Sequence, residues 1–479
     1  MNRPDKIVSS ARWSAVILPV LLFALGATAS GPPAEAPPAL PGHPLSLREC
    51  VRLAVAQNPS TAALLHSGRA AMARIGSARS AYWPTLDLTG SLSRSYTEPS
   101  SRTYRLPGAP STSTSDSAAL SSQYTLWDSG QRKASVATAQ ASYASSDYQF
   151  KATVQDLALS VETAYYALEG AQWNLQVAED TAKQTQFHLD MAQAQFDHGL
   201  VPRSDVLQAA TANANATLGV IQAKSAVTSG RTALAVLMGF PADSSFEIPA
   251  SDHNAPLPEV PDWRSGRERA MATLPEIKAA FENSESFRFA LRQAEVAYRP
   301  TVTADGSYGR FDNGQWPNLE DWGVGLTVHV PLFTGYARTW QVVQAKESWE
   351  GSKMGLRDTQ LTSEKSAYDA RTQLETAIES VKASESLVKS AVENADVAAG
   401  QYKNGLGTMT NVVDATTALQ NARYQLVSAR LSVLTAQAAW DRTTGVDLLR
   451  GAELPSTSVT AGDVPVPSSG PNPMGETKP

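Results

Sequence analysis

The sequence predicts a mainly α-helical chain with a β-barrel part, built from two copies of one half. Three observations predict it. The first is a repeat. Ala81-Tyr82-Trp83-Pro84-Thr85 returns as Ala297-Tyr298-Arg299-Pro300-Thr301, and Leu126-Trp127-Asp128-Ser129-Gly130-Gln131-Arg132 returns as Leu332-Phe333-Thr334-Gly335-Tyr336-Ala337-Arg338. Gln195-Phe196-Asp197-His198-Gly199-Leu200 returns as Gln401-Tyr402-Lys403-Asn404-Gly405-Leu406, and Gly239 as Gly445. The offset is 216 for the first pair (81 to 297) and 206 for the rest (195 to 401). The difference falls in a Ser/Thr/Pro-rich stretch, where a loop absorbs an insertion that a packed element would not. A repeat of this length is a duplicated half-domain rather than a short solenoid unit. The second observation is a pair of segments with period two in each half. The third is a pair of stretches, 131–195 and 337–401, that contain no Pro and few Gly.

The N-terminus comes first. Residues 1–29 read as a cleaved secretory signal: Arg3, Lys6 and Arg12 form a basic start, Trp13–Leu25 is apolar, and Ala27-Thr28-Ala29 has the small-x-small form of a cleavage site. The apolar stretch is short against the roughly 20 residues a membrane span requires. No Cys follows it closely, so no N-terminal lipid anchor is expected. Residues 30–44 are rich in Pro, Gly and Ala and read as an extended leader.

The first repeat is placed at 45–239. Leu47–Ala81 reads as helix with a break at Asn58-Pro59, because a residue before proline is driven out of the helical region. From Thr85 the period becomes two. Leu86, Leu88, Gly90 and Leu92 oppose Thr85, Asp87, Thr89, Ser91 and Ser93, which predicts a strand over about 85–94. A loop follows, then a second strand over about 118–127, with Leu120, Ser122, Tyr124 and Leu126 on one side. Helices are predicted over 131–195 and 203–238. A Pro/Asp/Ser-rich linker occupies 240–262.

The second repeat, 263–450, shows the same order. Val302, Ala304, Gly306 and Tyr308 lie opposite Thr301, Thr303, Asp305 and Ser307, predicting a strand over 301–309. Trp322, Val324, Leu326, Val328, Val330 and Leu332 predict another over 322–332. Helices are predicted over 337–401 and 410–444. In the last of these Ala415, Leu419, Ala422, Leu426, Ala429, Val433, Ala436 and Trp440 are spaced 4-3-4-3-4-3-4, the seam of a coiled coil. The set 206 residues earlier is Ala209, Asn213, Ala216, Val220, Ala223, Val227, Gly230 and Leu234. Such small residues imply close helix packing. As continuous helices the 65-residue stretches would extend roughly 100 Å. Residues 451–479 are Pro/Ser/Gly-rich and read as a disordered tail.

Composition excludes several classes. The chain has 40 basic and 46 acidic residues; without 1–29 the balance is 37 to 45, a net charge of −8. That argues against nucleic acid as a partner. Cys50 is the only cysteine, so no intrachain disulfide forms, and its place in an amphipathic helix marks it as packed rather than reactive. The six His form no metal-spaced cluster; His188 and His198 are ten apart. No phosphate loop or nucleophile elbow is present. No enzyme chemistry, cofactor or metal is expected.

Four segments of about ten residues, apolar on one side and small or polar on the other, match a transmembrane barrel with a wet interior. A soluble, half-buried sheet gives the same alternation. In the membrane reading four strands cannot close a barrel, and an open edge cannot face lipid. Two copies would supply eight strands, whose interior side chains fill it; three would supply twelve and a wider interior.

These residues resemble a known family. Leu45-Ser46-Leu47-Arg48-Glu49-Cys50 through Asn58-Pro59, the two Tyr-x-Pro-Thr strand starts, the Leu126–Arg132 and Pro331–Gly335 junctions, and the turns Phe196–Val201 and Tyr402–Gly407 are similar to the TolC family of outer-membrane efflux channels. The resemblance runs from about Leu45 to Leu449, in order. It implies a homotrimer with a shared 12-strand transmembrane β-barrel in the outer membrane and a coiled-coil α-helical barrel across the periplasm. It also implies two partners, a periplasmic adaptor and an inner-membrane pump, proton-driven or ATP-driven, in a Gram-negative-type cell.

The resemblance extends to a periplasmic gate just after the Gly-Leu turns. Asp414 and Asn411 hold the places of two constricting aspartates, Tyr402 matches a linking tyrosine, and Asp205 a gate-region aspartate. Gly407 stands where the family places a link-forming arginine, so fewer polar links are expected here. Independently of the family, three copies of Asp414 around an axis would form an anionic constriction favouring cations. Asp205, Thr410 and Asn411 also read as N-caps of their helices. The turns Gly199-Leu200-Val201 and Gly405-Leu406-Gly407 are candidates for adaptor docking, each offering an apolar knob at a glycine-permitted turn. The sequence leaves open a protein-secretion duct of type I, and a periplasmic coiled-coil scaffold without a pore.

Overall fold

The computed structural model describes residues 43–96, 112–249, 256–312 and 319–449, together with Leu454 and Thr457. The signal segment expected over 1–29, nearly all of the leader and most of the tail lie outside the described residues. Those described form, in the first half, α1 (Leu47–Gln57), α2 (Pro59–Ser80), β1 (Thr85–Tyr96), β2 (Thr112–Trp127), α3 (Gln131–Asp197) and α4 (Arg203–Leu237). The second half gives α5 (Trp263–Thr273), α6 (Pro275–Val296), β3 (Thr301–Asp312), β4 (Leu319–His329), α7 (Ala337–Lys403) and α8 (Met409–Thr443). Lengths agree between the halves: α1 and α5 have 11 residues, α2 and α6 have 22, α3 and α7 have 67, α4 and α8 have 35. No described helix is long and apolar enough to cross a membrane.

Local chemistry sets these boundaries. Asn58 ends α1 and begins α2 in extended backbone, and its side chain accepts from Ser60 N at 2.8 Å. Its amide also donates to the Leu237 carbonyl at 2.9 Å, tying the break to the end of α4. Each strand passes to its long helix through two successive left-handed residues, Ser129 and Gly130 in one half and Gly335 and Tyr336 in the other. The Asp128 carboxylate holds the first of these junctions, accepting from Gly130 N at 3.1 Å and Arg132 N at 2.7 Å.

The four strands form one antiparallel sheet in the order β1-β2-β3-β4. Its register places Leu88, Leu120, Tyr308 and Trp322 in one row across the sheet. Leu86, Val324, Leu326 and Val328 share that face, and all are exposed. The other face carries Asp87, Ser121, Ser307 and Gly323 in one row, with Gln123, Asp305 and Gly325 in the next. β1 and β4 are the sheet's edges, and neither has a second neighbour among the described residues.

Strand limits differ from the sequence reading: β1 runs on to Tyr96, β3 runs on to Asp312 and β4 starts at Leu319, and two further differences have a clear cause. β2 begins at Thr112 instead of near residue 118. Its Ser/Thr-rich start pairs with β1, and the hydroxyls of Ser91 and Ser117 (2.9 Å) and of Ser93 and Ser115 (2.7 Å) bond across the strands. β4 ends at His329 rather than at Leu332. Pro331 has no N–H to give the ladder, so the strand stops before it.

The helices pack as two hairpins, α3 with α4 and α7 with α8, with α2 laid against α3 and α6 against both α3 and α7. The last-helix seam is buried as its spacing requires: Ala415, Leu419, Ala422, Ala429, Val433, Ala436 and Trp440 all pack inside. Gly170 on α3 lets α8 come close, since a Cβ there would lie 2.1 Å from Leu431 Cδ1. Arg442 on α8 crosses to α3 and α6, donating to Asp156 at 2.9 Å and to Glu276. Cys50 is fully buried and its thiol is pushed up to about 12 by burial, consistent with a packing role.

Candidate functional site

The candidate site is the end of the hairpins remote from the sheet. Both hairpin turns close in the same way. Gly199 has φ +70°, its N–H reaches the Phe196 carbonyl at 2.8 Å, and Leu200 N reaches Gln195 O at 2.9 Å. Gly405 has φ +71°, with Gly405 N to Tyr402 O at 3.0 Å and Leu406 N to Gln401 O at 2.9 Å. This is the Schellman arrangement, and only glycine takes the left-handed position without strain. Its usual companion is an apolar contact between the residue after the glycine and the helix. Here that residue turns outward instead: Leu200 is 73% exposed and Leu406 is 81% exposed. Val201 turns the other way, into a cluster of Ala192, Ala209, Tyr402, Met409 and Val412 that joins the two hairpins. Gly407 is half-buried, and a Cβ there would crowd Gln401 at 3.2 Å.

The capping expectation is corrected. α4 starts after Pro202, which has no capping side chain, so Asp205 stands in the first turn rather than at the cap. α8 is capped by Thr408, whose hydroxyl accepts from Asn411 N at 3.4 Å; Thr410 and Asn411 lie inside the helix. A hydroxyl three residues ahead of Asn411 was the signal the sequence carried for this. Asn411 and Asp414 are then free to present their side chains, and both are exposed.

The repeat adds a relation that the sequence reading missed. With the offset of 206, Asp205 corresponds to Asn411 and Gln208 to Asp414. Each half therefore carries one carboxylate and one amide on the same two positions of its returning helix. Across the junction between hairpins the Thr410 hydroxyl donates to Gln208 Oε1 at 3.1 Å. Tyr402 is 2% exposed, and burial, then the negative charge of Asp205, push its phenol up to about 12. Its hydroxyl lies near Asp205 but forms no well-aligned hydrogen bond. Asp205 and Tyr402 are thus brought together, whereas Asn411 and Asp414 stand apart from them on the exposed face of α8.

No group of three or more His, Cys, Asp or Glu able to hold a metal occurs among the described residues. A second polar feature lies on the sheet. On its polar face Asp87, Asp305 and Asp321 occupy three successive rows, with no Lys or Arg on that face among the described residues. The Asp305 carboxylate lies over Gly325, where a Cβ would meet it at 2.7 Å, and accepts from Thr327 at 3.2 Å.

A family model described as outer membrane efflux protein matches residues 50–240 and 267–446, covering both halves. The chain belongs to the outer membrane efflux protein family. Among its relatives is the outer membrane protein TolC of Vibrio cholerae, 25% identical over 400 residues, 81% of this chain and 89% of that protein. Protein CyaE of Bordetella pertussis is 25% identical over 441 residues, 90% of this chain and 88% of that one. The alkaline protease secretion protein AprF of Pseudomonas aeruginosa is 24% identical, covering 67% and 68%. Solved structures share the fold. CusC matches with a TM-score of 0.72 at 17% identity, over 83% of this chain and 92% of that chain. The Vibrio cholerae outer membrane protein VceC matches with 0.69 at 20% identity, over 83% and 96%.

Proposed function

We propose that three copies of this chain close a twelve-strand barrel in the outer membrane, continue it as a helical tunnel into the periplasm, and act as the exit duct of a tripartite system. The duct is passive. A periplasmic adaptor would join it to an inner-membrane pump that delivers the cargo.

One observation carries the reading: the structure is half of each contact it needs. The sheet is amphipathic, and both its edges are open. Along the helices α3 packs on α8, and α3 packs on α6. Exchanging the halves requires α7 to pack lengthwise on α4, and α7 on α2. Neither packing is made within the chain among the described residues. A neighbouring copy supplies both, and the ring closes. The faces that would meet are apolar: Trp340, Met354, Leu361 and Val397 on α7 and Leu207, Leu218 and Ile221 on α4 are all more than half or nearly half exposed. Rotational symmetry with a heterologous interface of this kind closes a ring, and three copies give the barrel width that a lumen requires.

The periplasmic end would close where the returning helices begin. Asp414 and Asn411 would line the constriction, with Asp205 and Tyr402 behind it holding the hairpins together. Leu200 and Leu406, at turns built on Gly199 and Gly405, would seat the adaptor, with Val201 and Gly407 shaping the turns. The test is single-channel recording of the purified full chain in a planar bilayer, with wild type beside Asp414→Ala. Discrete cation-selective steps that enlarge in the variant support duct and gate together. A folded protein that carries no current and stays soluble without detergent returns the scaffold reading.

Secretion of proteins is the second reading, favoured by the relatives named for it, AprF among them. Complementation separates the two: restored protein export in cells lacking their own secretion duct supports it, and restored small-molecule resistance alone supports efflux.

A further inference from the structure

Between the two hairpins, one turn of α3 above the tip cluster, lies a cavity of about 200 Å³. Thr181, Thr185 and His188 of α3, Asn215 of α4, and Thr416 and Gln420 of α8 line it. His188 is 6% exposed, and neither ring nitrogen has a hydrogen-bond partner. The hydroxyl protons around it are committed elsewhere, and no wall oxygen makes a hydrogen bond with the ring. Thr181 and Thr416 donate to the carbonyls of Val177 and Val412 at 2.8 Å, and Thr185 to the Ala182 carbonyl and to Asn213. The ring's neighbour is Phe187, edge-on at 5.9 Å. The junction it occupies is lightly tied, with the Thr410–Gln208 bond and the Tyr402 cluster closing it below.

We propose that His188 is a positioning residue that makes this junction sensitive to protons: its neutral ring fits the closed junction, and its protonation separates the hairpins and opens the periplasmic end. The inference rests on the duct reading for its consequence, but not for the motion itself.

The argument is one of unmatched charge. An imidazolium needs two acceptors or a counter-ion, and a buried cation without them is costly. The charged groups nearest along the surrounding helices are Lys183 and Asp190 on α3, Asp205 on α4, and Asp414 and Arg423 on α8. None of them lines the cavity. Tyr402 of α7, in the cluster below, is a neutral phenol. Asp190 accepts from Gln186 at 2.8 Å instead. Burial accordingly holds the imidazole below the ordinary histidine range. The linkage has one sign. A ring that binds its proton less readily in the closed junction than in water leaves the closed state intact above about pH 6.5. As pH falls below that, the separated state takes up protons first, by up to about tenfold per pH unit per subunit, until the buried ring itself protonates. The second half of the chain shows what the position looks like without the switch. The residue 206 later is Asn394, of similar size and never charged.

The test uses the full trimer with His188→Asn. Spin labels at Thr211→Cys on α4 and Ala418→Cys on α8, both exposed and outside the Thr410–Gln208 bond, report the junction, since Cys50 is buried. The expected result is a label separation that lengthens between pH 7.5 and pH 5.5 in the wild-type background and stays constant in His188→Asn. In bilayers the open probability should rise over the same interval only when His188 is present. Equal responses in both backgrounds, or no lengthening in either, overturn the switch. A wild-type lengthening in a protein that carries no current keeps the switch and overturns the duct reading instead.

Discussion

At the residue scale, burial of two titratable groups on α3 acts in opposite senses, and only one concerns the junction between hairpins. Glu169 is 5% exposed and its carboxyl is pushed up to about 7 by burial. The folded chain therefore holds a proton that the unfolded chain has released between about pH 4.5 and pH 7. Stability falls as pH rises through that window and is level above it. Glu169→Gln should abolish this slope, raising the melting temperature at pH 8 while changing it little at pH 4.5; a variant that melts lower at both would show the carboxylate to be structurally required. The hairpin turns yield a second expectation. Leu200 and Leu406 are largely exposed, so Leu200→Asp with Leu406→Asp should leave fold and melting temperature intact, within about 0.5 kcal/mol per site. Export in cells should nevertheless be lost, and normal export by a double variant present at wild-type abundance would end the docking role. Much of this site was legible at single positions because the Gly-Leu turns repeat. The caps were misjudged because Ser204 and Asp205 at one helix start, and Thr408, Thr410 and Asn411 at the other, all suit a cap, and the choice of Thr408 depends on backbone geometry that composition does not encode. His188 was visible only as a histidine ten residues from another, since its isolation arises from three helices meeting around it.

At the element scale, long-helix packing depends on small residues at defined heights. The 4-3 spacing on α8 announced its buried face directly, because Ala415, Leu419, Ala422, Ala429, Val433 and Ala436 all pack in clusters with α7. The matching set on α4 is less buried: Val220, Ala223 and Val227 are only half covered. The spacing is the same, but the partner that would cover that face is α7 of another copy. The strands show the opposite limitation. Alternation located all four, yet the Ser/Thr-rich start of β2 resembled a loop until its cross-strand hydroxyl pairs were seen. Gly170 offers a direct test of close approach between α3 and α8. Valine there would drive a branched side chain into Leu431, and overpacking of this kind costs about 1–3 kcal/mol. Gly170→Val should lower the melting temperature of the protein, read by circular dichroism at 222 nm. An unchanged melt would mean that Leu431 swings aside freely and that the seam is looser than its geometry.

At the scale of the whole molecule, charge is distributed so that a duct of three copies would present anions at both ends of its path. In such a duct Asp414 would stand at the periplasmic end, three per ring. In the barrel Asp87, Asp305 and Asp321 would place nine carboxylates on three successive rows of the polar face, beside Ser, Gly and Gln side chains too small or too neutral to screen them. Rings of carboxylates favour cations, and the preference weakens as salt shortens the screening length from about 10 Å at 0.1 M to about 3 Å at 1 M. The two sets therefore make separable contributions. Asp414→Ala should raise conductance, because it widens and discharges the narrowest point, yet leave a clear cation preference from the barrel. Adding Asp87→Asn, Asp305→Asn and Asp321→Asn should remove most of what remains, with little further change in conductance, since asparagine occupies the same space. Reversal potentials under a salt gradient, at 0.1 M and again at 1 M, measure both. If Asp414→Ala alone abolishes selectivity, the barrel is too wide for its carboxylates to act on passing ions, and the polar face serves hydration only. If the barrel substitutions alone abolish it, the constriction lies elsewhere than Asp414, and the exposed face of α8 loses its assignment as the gate.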